Sequence, residues 1–296
     1  MKVLTALGRL CLGTLVFVVI LIFAALHPSA AGLMLTFPAL NGLGLLFTAQ
    51  SNIPETARSM LWMPVLNGLL CAVYIVLFLA FSKAEMANYL AIALFFLITV
   101  LWVVAARRER VKKGVAEGHQ FGYALGVTFG GALFLVIWHL AAGGAEPASA
   151  VSVIPGFMRF AENVILGNWW KVLIFLLAFA IFLWIANRPG TPNGVRGIFA
   201  GLPLVPFFGL LSIAVGRSEL FDNRIETFKG LATGLWLGPA VAVWFVFSVS
   251  QLLTWRRQFG SSRVDFLARF GVIVAGWVAC FATIIALSAA IDWTAK

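Results

Sequence analysis

Charged side chains are scarce in this sequence: Asp, Glu, Lys and Arg make up 11% of its 296 residues, whereas 62% are hydrophobic. A soluble domain of this size needs roughly a quarter of its residues charged to cover its surface. Several uncharged runs reach about 18 or more residues, the length at which an apolar helix crosses a bilayer. The composition therefore excludes an ordinary soluble protein and predicts a polytopic membrane protein.

Acidic side chains are missing from the interiors of these apolar runs. The Asp and Glu residues, 11 in all, lie in predicted loops or near the ends of predicted spans. An intramembrane carboxylate is the usual proton or sodium relay of a transporter, so coupling through a buried acid is not expected. The sequence also lacks a Walker phosphate-binding loop, HExxH and GxSxG, which mark common catalytic sites. We therefore predict a protein that is not an enzyme and holds no cofactor.

Paired cysteines are missing as well. Cys11, Cys71 and Cys280 each fall within an apolar run, and no two of them have the spacing of a metal-binding pair. Their positions exclude a disulfide framework and a CxxC metal site. We predict no metal and assign the three thiols to packing.

The positive charge that is present lies mainly between the apolar runs. The net charge is +10, and its densest clusters, 107–113 (RRERVKK) and 256–263 (RRQFGSSR), directly follow hydrophobic runs. Such clusters mark cytoplasmic loops rather than a nucleic-acid site. With the N-terminus inside, inner segments hold 14 of the 21 Lys and Arg residues and outer segments hold 7. This predicts a cytoplasmic N-terminus and a periplasmic C-terminus; a site for anionic lipid headgroups is the alternative use of the clusters.

Hydropathy predicts nine transmembrane spans. They cover residues 10–27, 31–49, 60–82, 87–106, 121–142, 166–187, 196–215, 230–251 and 265–290. Residues 1–32 also fit a cleaved signal peptide, since a basic start and an apolar run precede the small residues of HPSAA. We favour a span, because the run is at the long end for a signal peptide and has a positional counterpart later in the chain.

The sequence repeats a proline-bearing pattern in its second half. At a constant offset of 165 residues, Gly32 matches Gly197, Pro38 matches Pro203, Gly44 matches Gly209 and Ala49 matches Ala214. In the next predicted span of each half, LWMP (residues 61–64) matches LWLGP (residues 235–239). Matched spans in the same order indicate an internal duplication.

The duplication predicts an all-α membrane fold of two inverted four-span halves. Residues 1–106 form the first half, 107–145 a basic cytoplasmic loop and a linking helix, and 146–296 an outer segment and the second half. A single linking span turns the second half upside down relative to the first, as in many secondary transporters.

Prolines within predicted spans indicate a binding site. Proline removes a backbone hydrogen bond and kinks or breaks a helix, and in lipid the freed carbonyls need protein or a water-filled cavity to satisfy them. Paired broken helices in inverted halves mark transport sites, although a simple packing kink is the alternative. The candidate substrate-binding residues are Pro38, Asn41, Gly44, Pro64, Asn67, Pro203, Pro206, Gly209, Trp236 and Pro239.

Two asparagines each follow a span proline by three residues. Asn41 lies in PALN and Asn67 in PVLN. The amide can donate to a carbonyl that the proline leaves free, or it can contact a substrate. We favour the first role.

The linking span 121–142 carries small residues at every fourth position. Gly122, Gly126 and Gly130 form a face that lets another helix approach closely. The face suits packing between the two halves or a homodimer contact. Packing within the chain is favoured, because this span must sit between two bundles.

The proline stretches GLMLTFPALNGLGLL and GIFAGLPLVPFFGLLSIA, each followed by a polar loop and a W-x(1–2)-P span, resemble the small four-span bacterial inner-membrane proteins of the GlpM type. The unit would occur twice here, with a linking helix. The resemblance implies a bacterial inner membrane and an envelope or polysaccharide context, and it supplies no catalytic residues.

These features together predict a transporter or flippase-like permease. Its substrate would be a small neutral or amphipathic solute, or a lipid-linked one, bound between the second, third, seventh and eighth spans. The alternative is a non-catalytic membrane partner that scaffolds envelope polysaccharide or lipid assembly.

Overall fold

The computed structural model of the chain describes residues 20, 22–23, 27–46, 48, 50–80, 118–142, 194, 197, 210, 224–255 and 262–294. Every regular element within these ranges is helical, which confirms the all-α class. The second, third, fifth, eighth and ninth predicted spans coincide with described helices. The first, fourth, sixth and seventh fall largely outside the described residues.

The described helices follow one another in an order close to the predicted one. They are α1 (Pro28–Met34), α2 (Ala39–Leu46), α3 (Ile53–Ala80), α4 (Gly118–Ala142), α5 (Arg224–Leu235), α6 (Gly238–Trp255) and α7 (Ser262–Thr294), with one 3-10 turn at Gln50–Asn52. The second predicted span is thus the pair α1 and α2, and the eighth is the pair α5 and α6.

Within the described residues, three helical segments are long and apolar enough to cross a membrane. They are Ile53–Ala80, Ile225–Trp255 and Val264–Ile291. These segments bear out the membrane class. They do not establish a count of nine spans, which stays a prediction.

Helix α3 differs from the predicted third span at its start and at its internal proline. It begins at Ile53 rather than at residue 60, because Pro54 and Glu55 suit a first helical turn: proline needs no N–H partner there, and the carboxylate faces the positive end of the helix dipole. Pro64 lies inside the helix without interrupting it. A break at this proline is therefore not observed, and the alternative of a packing kink stays a prediction.

Contacts along the helices give their relative directions. Pro28 of α1 lies against Gly230 of α5, and Thr36, just after α1, lies against Gly238 at the start of α6. Because both contacts advance together, α1 runs in the same direction as the α5–α6 pair.

Helix α3 runs opposite to that pair. Gly68 packs against the ring of Pro239, whereas Phe78, ten residues further along α3, stacks on Phe228 of α5 with ring centroids 4.0 Å apart. Residues later in α3 therefore contact residues earlier in the α5–α6 pair.

Helices α4 and α7 run with α3. Trp244 of α6 donates to the Thr128 hydroxyl of α4 at 2.7 Å, and Gly131 further along α4 meets the earlier residue Trp236. The Ser29 hydroxyl of α1 lies 3.4 Å from the Ser288 hydroxyl of α7. Helix α2, which comes later in the chain than α1, contacts the earlier α7 residues Trp277 and Arg269. The described helices thus form one antiparallel bundle.

The core of this bundle lies where α1, α3, α5 and α6 meet. Phe228 is fully buried there between Tyr74 and Phe78. Helix α7 instead leaves large apolar side chains such as Phe270, Val278 and Ile285 exposed, as lipid-facing positions require.

Candidate functional site

The first helix interruption lies between α1 and α2, at Leu35–Pro38. Helix α1 ends at Met34 and α2 starts at Ala39, so the predicted break at Pro38 is confirmed. Pro38 has no N–H to offer the Met34 carbonyl, and the Phe37 N–H binds that carbonyl at 2.9 Å instead. In a continuous helix the Phe37 N–H would reach Leu33, so the interruption changes the bonding of two carbonyls.

The second interruption lies between α5 and α6, at Trp236–Leu237. The Leu237 N–H binds the Gly234 carbonyl at 3.2 Å in a tight turn, and the new helix then begins with Gly238 and Pro239. A proline near the start of a helix is tolerated, because its missing N–H would have no partner within the helix.

The two interruptions lie against each other. A Cβ added at Gly238 would stand 2.7 Å from Thr36 Oγ1, 2.9 Å from the Leu33 carbonyl oxygen and 3.3 Å from that of Gly32. Only glycine leaves room for three oxygen atoms at this distance. The segment between α5 and α6 is therefore fitted closely to the segment between α1 and α2, and we call this region the interruption site.

A close crossing of α1 and α5 supports the interruption site. Gly230, Gly234 and Gly238 recur every four residues along α5 and α6, and a Cβ added at Gly234 would overlap the Ser29 carbonyl oxygen. A Cβ at Gly32 of α1 would likewise overlap the Leu231 carbonyl oxygen. This arrangement is the small-xxx-small packing of membrane helices, with Cα–H groups against carbonyl oxygens.

Sequence reasoning missed this crossing, although the four-residue glycine spacing was visible in KGLATGLWLG. The stripe singled out on α4 makes no comparable contact: no described atom lies within 4 Å of a Cβ added at Gly122, Gly126 or Gly130. The neighbouring Gly131 meets the Trp236 carbonyl oxygen instead. The role of the stripe in packing or in a homodimer stays a prediction.

Helix α7 holds α2 at both of its ends. The Trp277 indole Nε1 donates to the Pro38 carbonyl at 3.3 Å, and its ring packs with Ile273 against Gly42. One turn before Ile273, Arg269 donates to the Leu46 carbonyl at 3.4 Å. A cation at the carboxyl end of a helix is favoured by the helix dipole.

The Arg269 guanidinium also lies 3.8 Å from the Asp265 carboxylate, measured from Nε to Oδ2, and both side chains are largely buried. Pairing reduces the cost of burying the cation. The short helix after the first interruption is thus fixed to α7 through one indole and one guanidinium.

Two polar side chains beside the first interruption lack hydrogen-bond partners. The hydroxyl oxygen of Thr36 and the amide oxygen of Asn41 are both buried, at 4% and 5% exposure, and neither has a partner within the described residues. The Met34 carbonyl, which Pro38 leaves free, accepts from the Phe37 N–H. The Pro38 carbonyl accepts from the Gly42 N–H and from Trp277. The predicted helix-repair role of Asn41 is therefore not observed, and its oxygen stays available to a ligand.

Several other predicted site residues fall near this region. Gly44 accepts a bond from the Thr48 hydroxyl at 2.7 Å, which closes the end of α2. Asn67 is buried on α3, next to the Gly68 that meets Pro239. Trp236 and Pro239 lie at the second interruption. Pro203, Pro206 and Gly209 lie outside the described residues.

Within the described residues, the contacts of the interruption site involve uncharged groups. In the described helices, acidic residues lie near the start of α3, α5 and α7, as Glu55, Glu226 and Asp265, and near the end of α7, as Asp292. The described residues also hold no group of three or more His, Cys, Asp or Glu side chains. The site therefore offers hydroxyl, amide and carbonyl oxygens together with helix ends, which bind neutral polar groups or monovalent cations rather than drive acid–base chemistry.

Trp277→Phe and Trp244→Phe form a matched pair of substitutions. Each removes one indole hydrogen bond, to Pro38 and to Thr128 respectively, so we expect each to lower stability by about 1 kcal/mol. Only Trp277 touches the interruption site, so only its substitution should also loosen the attachment of α2. Thermal unfolding in detergent would measure the first effect, and amide hydrogen exchange of α2 would measure the second. Equal exchange of α2 in the two variants would show that the Trp277 bond does not hold this helix.

Comparison of the chain with protein-family models, with curated proteins and with solved structures gave no match. The resemblance to GlpM-type proteins therefore stays a prediction from the proline stretches.

Proposed function

We propose that the protein is a permease-like transporter, which moves a small neutral or amphipathic solute by alternating access between two inverted halves. The observation that carries the proposal is a pair of matching helix crossings. In each crossing, a glycine of one half meets a backbone carbonyl of the other half.

The first match relates Gly32 to Gly197. These glycines are 165 residues apart, Gly32 lies on the Leu231 carbonyl, and a Cβ at Gly197 would stand 2.5 Å from the Thr56 carbonyl oxygen. Thr56 and Leu231 are 175 residues apart, one more than the offset of 174 that relates Leu61 to Leu235 and Trp62 to Trp236 ahead of the extra Gly238. The two contacts therefore lie within one residue of equivalent positions, which supports a duplication.

In the second match, each position that holds a serine in the first half holds a glycine in the second. Gly234 lies on the Ser29 carbonyl, and a Cβ at Gly194 would stand 3.2 Å from the Ser59 hydroxyl. Ser29 and Gly194 differ by the offset 165, and Ser59 and Gly234 by 175, again one more than the offset of the matching Leu-Trp pair. Two reciprocal contacts displaced by the same single residue support a two-fold axis between the halves.

The direction of the helices supports an inverted rather than a parallel duplication. Helix α3 and the α5–α6 pair hold the equivalent residues Pro64 and Pro239, yet they run in opposite directions, as the contacts of Gly68 and Phe78 require. An axis that reverses membrane helices lies in the membrane plane. The relative directions of the described helices are those that nine alternating spans require, and the positive charge of the predicted inner loops favours a cytoplasmic N-terminus and a periplasmic C-terminus in a bacterial inner membrane.

The interruption site supplies what a transport site needs. Broken helices place polar backbone ends at membrane depth, where they can orient a substrate without an ion pair. The absence of acidic groups from the described part of this region favours a neutral or amphipathic solute. One half can then move relative to the other about the fixed crossing.

Flux in proteoliposomes tests the proposal. Purified protein would be reconstituted and assayed with labelled neutral solutes, including a polyol, a sugar and an amino-acid amide, and with a fluorescent phospholipid whose exposure is read by dithionite quenching. At least one probe should cross faster than in protein-free liposomes. Gly197→Leu should stop that flux, because it forces the second crossing apart, whereas Gly126→Leu on an open face of α4 should not.

Failure of every probe to move, with protein shown to be folded and inserted, would reject transport. The non-catalytic envelope partner would then be the better description of the protein.

A further inference from the structure

The interruption site gathers oxygen atoms at one place. Thr36 Oγ1 and the carbonyl oxygens of Leu33 and Gly32 all lie within 3.3 Å of the point where a Gly238 side chain would begin. Gly238 is the first residue of α6. The hydroxyl is directed at this helix start, is 4% exposed, and finds no hydrogen-bond partner in the described part of the chain.

A second oxygen without a partner lies just beyond the first interruption. The Asn41 amide oxygen belongs to a residue that is 5% exposed, and the described residues offer it no donor. A buried polar atom without a partner costs about 1–3 kcal/mol, so such atoms in native proteins usually contact a water, an ion or a ligand. Two of them flanking Pro38 indicate a ligand that interacts with oxygen.

The electrostatics of the region select the kind of ligand. Each interruption brings the carboxyl end of one helix to the amino end of the next, so the helix dipoles largely cancel and the oxygen atoms set the local potential. The described contacts at this site are carbonyl and hydroxyl oxygens, which would repel an anion. A divalent cation would need carboxylates to offset its dehydration, and in the described helices the acidic residues lie near the starts of α3, α5 and α7 and near the end of α7.

We propose that the interruption site binds a monovalent cation, Na⁺, on uncharged oxygen atoms. Thr36 Oγ1, the Leu33 carbonyl and the Asn41 amide oxygen would replace part of its hydration shell, as carbonyl oxygens do in selectivity filters and unwound helix segments do in secondary transporters. The inference rests on the proposed transport function, for which the cation gradient would supply the energy. It requires no buried carboxylate.

Thermal unfolding of the full-length protein in detergent tests cation binding without any transport assay. Unfolding would be followed by tryptophan fluorescence in NaCl, KCl and choline chloride at equal ionic strength. A cation that binds only the folded state raises the melting temperature in a saturable way. NaCl should therefore raise it above the choline value, and the half-saturating concentration should be higher for KCl.

Thr36→Val removes the hydroxyl while keeping the shape of the side chain. We expect it to raise the half-saturating NaCl concentration by about tenfold or more, which corresponds to the loss of one favourable ligand. Thr36→Ser should keep the sodium response. The matched control is Thr283→Val, since the Thr283 hydroxyl is exposed on α7 and only binds the Ala279 carbonyl of its own helix.

Identical melting in the three salts would overturn the proposal, and so would an unchanged sodium response in Thr36→Val. If Thr36→Val does not fold, Asn41→Ala gives the same test at the second oxygen. Solute flux that persists in choline chloride, together with salt-independent melting, would reject the cation site and leave transport standing. A sodium-dependent rise in melting temperature without any solute flux would support the cation site and reject transport.

Discussion

Replacing Gly234 with alanine is expected to destabilise the protein more than any other single-methyl change in the described helices. The added methyl would overlap the Ser29 carbonyl oxygen, which belongs to the backbone of α1. A backbone atom cannot turn aside as a flexible side chain can, so α1 and α5 must separate. Separation also disturbs the neighbouring contact between Gly32 and the Leu231 carbonyl.

The expected magnitude follows from two opposing terms. Alanine is a better helix former than glycine by about 1 kcal/mol, whereas overpacking a close contact costs about 1–3 kcal/mol or more. Helix association in lipid depends on close packing rather than on a hydrophobic driving force. Loss of contact along the whole crossing should therefore outweigh the gain in helix propensity, and the melting temperature in detergent should fall.

Gly126→Ala on α4 is the matched control. It makes the same chemical change in a helix interior, but no described atom lies within 4 Å of the added methyl. We expect it to leave the melting temperature unchanged or to raise it slightly. If both variants melt alike, the crossing of α1 and α5 is not the tight contact that the glycines indicate.

The break at Pro38 could be predicted from the sequence, and the continuity of α3 through Pro64 could not. Both prolines lie in apolar runs, and each removes one backbone hydrogen bond. In α3 the helix continues on both sides and packs its buried face against α5 and α6. The α5–α6 pair carries the sequence that matches α3, but one extra residue, Gly238, precedes Pro239, and the helix is interrupted just before it.

Which glycine stripe forms a helix contact could not be predicted from spacing alone. The α4 stripe and the α5 stripe have the same four-residue period, but a contact also needs a partner surface. That partner is α1, about two hundred residues earlier in the chain, with Gly32 and the Ser29 carbonyl in matching positions. Local sequence shows that a helix can be approached closely and does not show by what.

The attachment of α2 to α7 could not be predicted from the sequence either. Trp277 and Arg269 are separated by two helical turns and contact the two ends of α2, more than two hundred residues away. Tryptophan and arginine near a span also serve as interfacial anchors. Nothing local distinguishes that role from a hydrogen bond to a distant helix end.

Replacing Pro38 with alanine is expected to separate stability from transport. The new N–H could bind the Met34 carbonyl and join α1 to α2 as one helix. A proline in a helix interior is less favourable than alanine by about 3 kcal/mol, so the variant should fold. Straightening would carry α2 away from Trp277 and Arg269 and remove the interruption on which the proposed transport site depends, so flux should be lost or greatly reduced.

Pro64→Ala supplies the control for this prediction, because α3 is already continuous there. It should raise the melting temperature, and flux should fall much less than in Pro38→Ala. The same loss of flux as for Pro38→Ala is expected for Pro203→Ala, in the matching segment of the second half. Initial rates in proteoliposomes, normalised to inserted protein, would compare the three variants. Full transport by folded Pro38→Ala and Pro203→Ala would mean that the prolines are packing kinks, and that the substrate passes elsewhere.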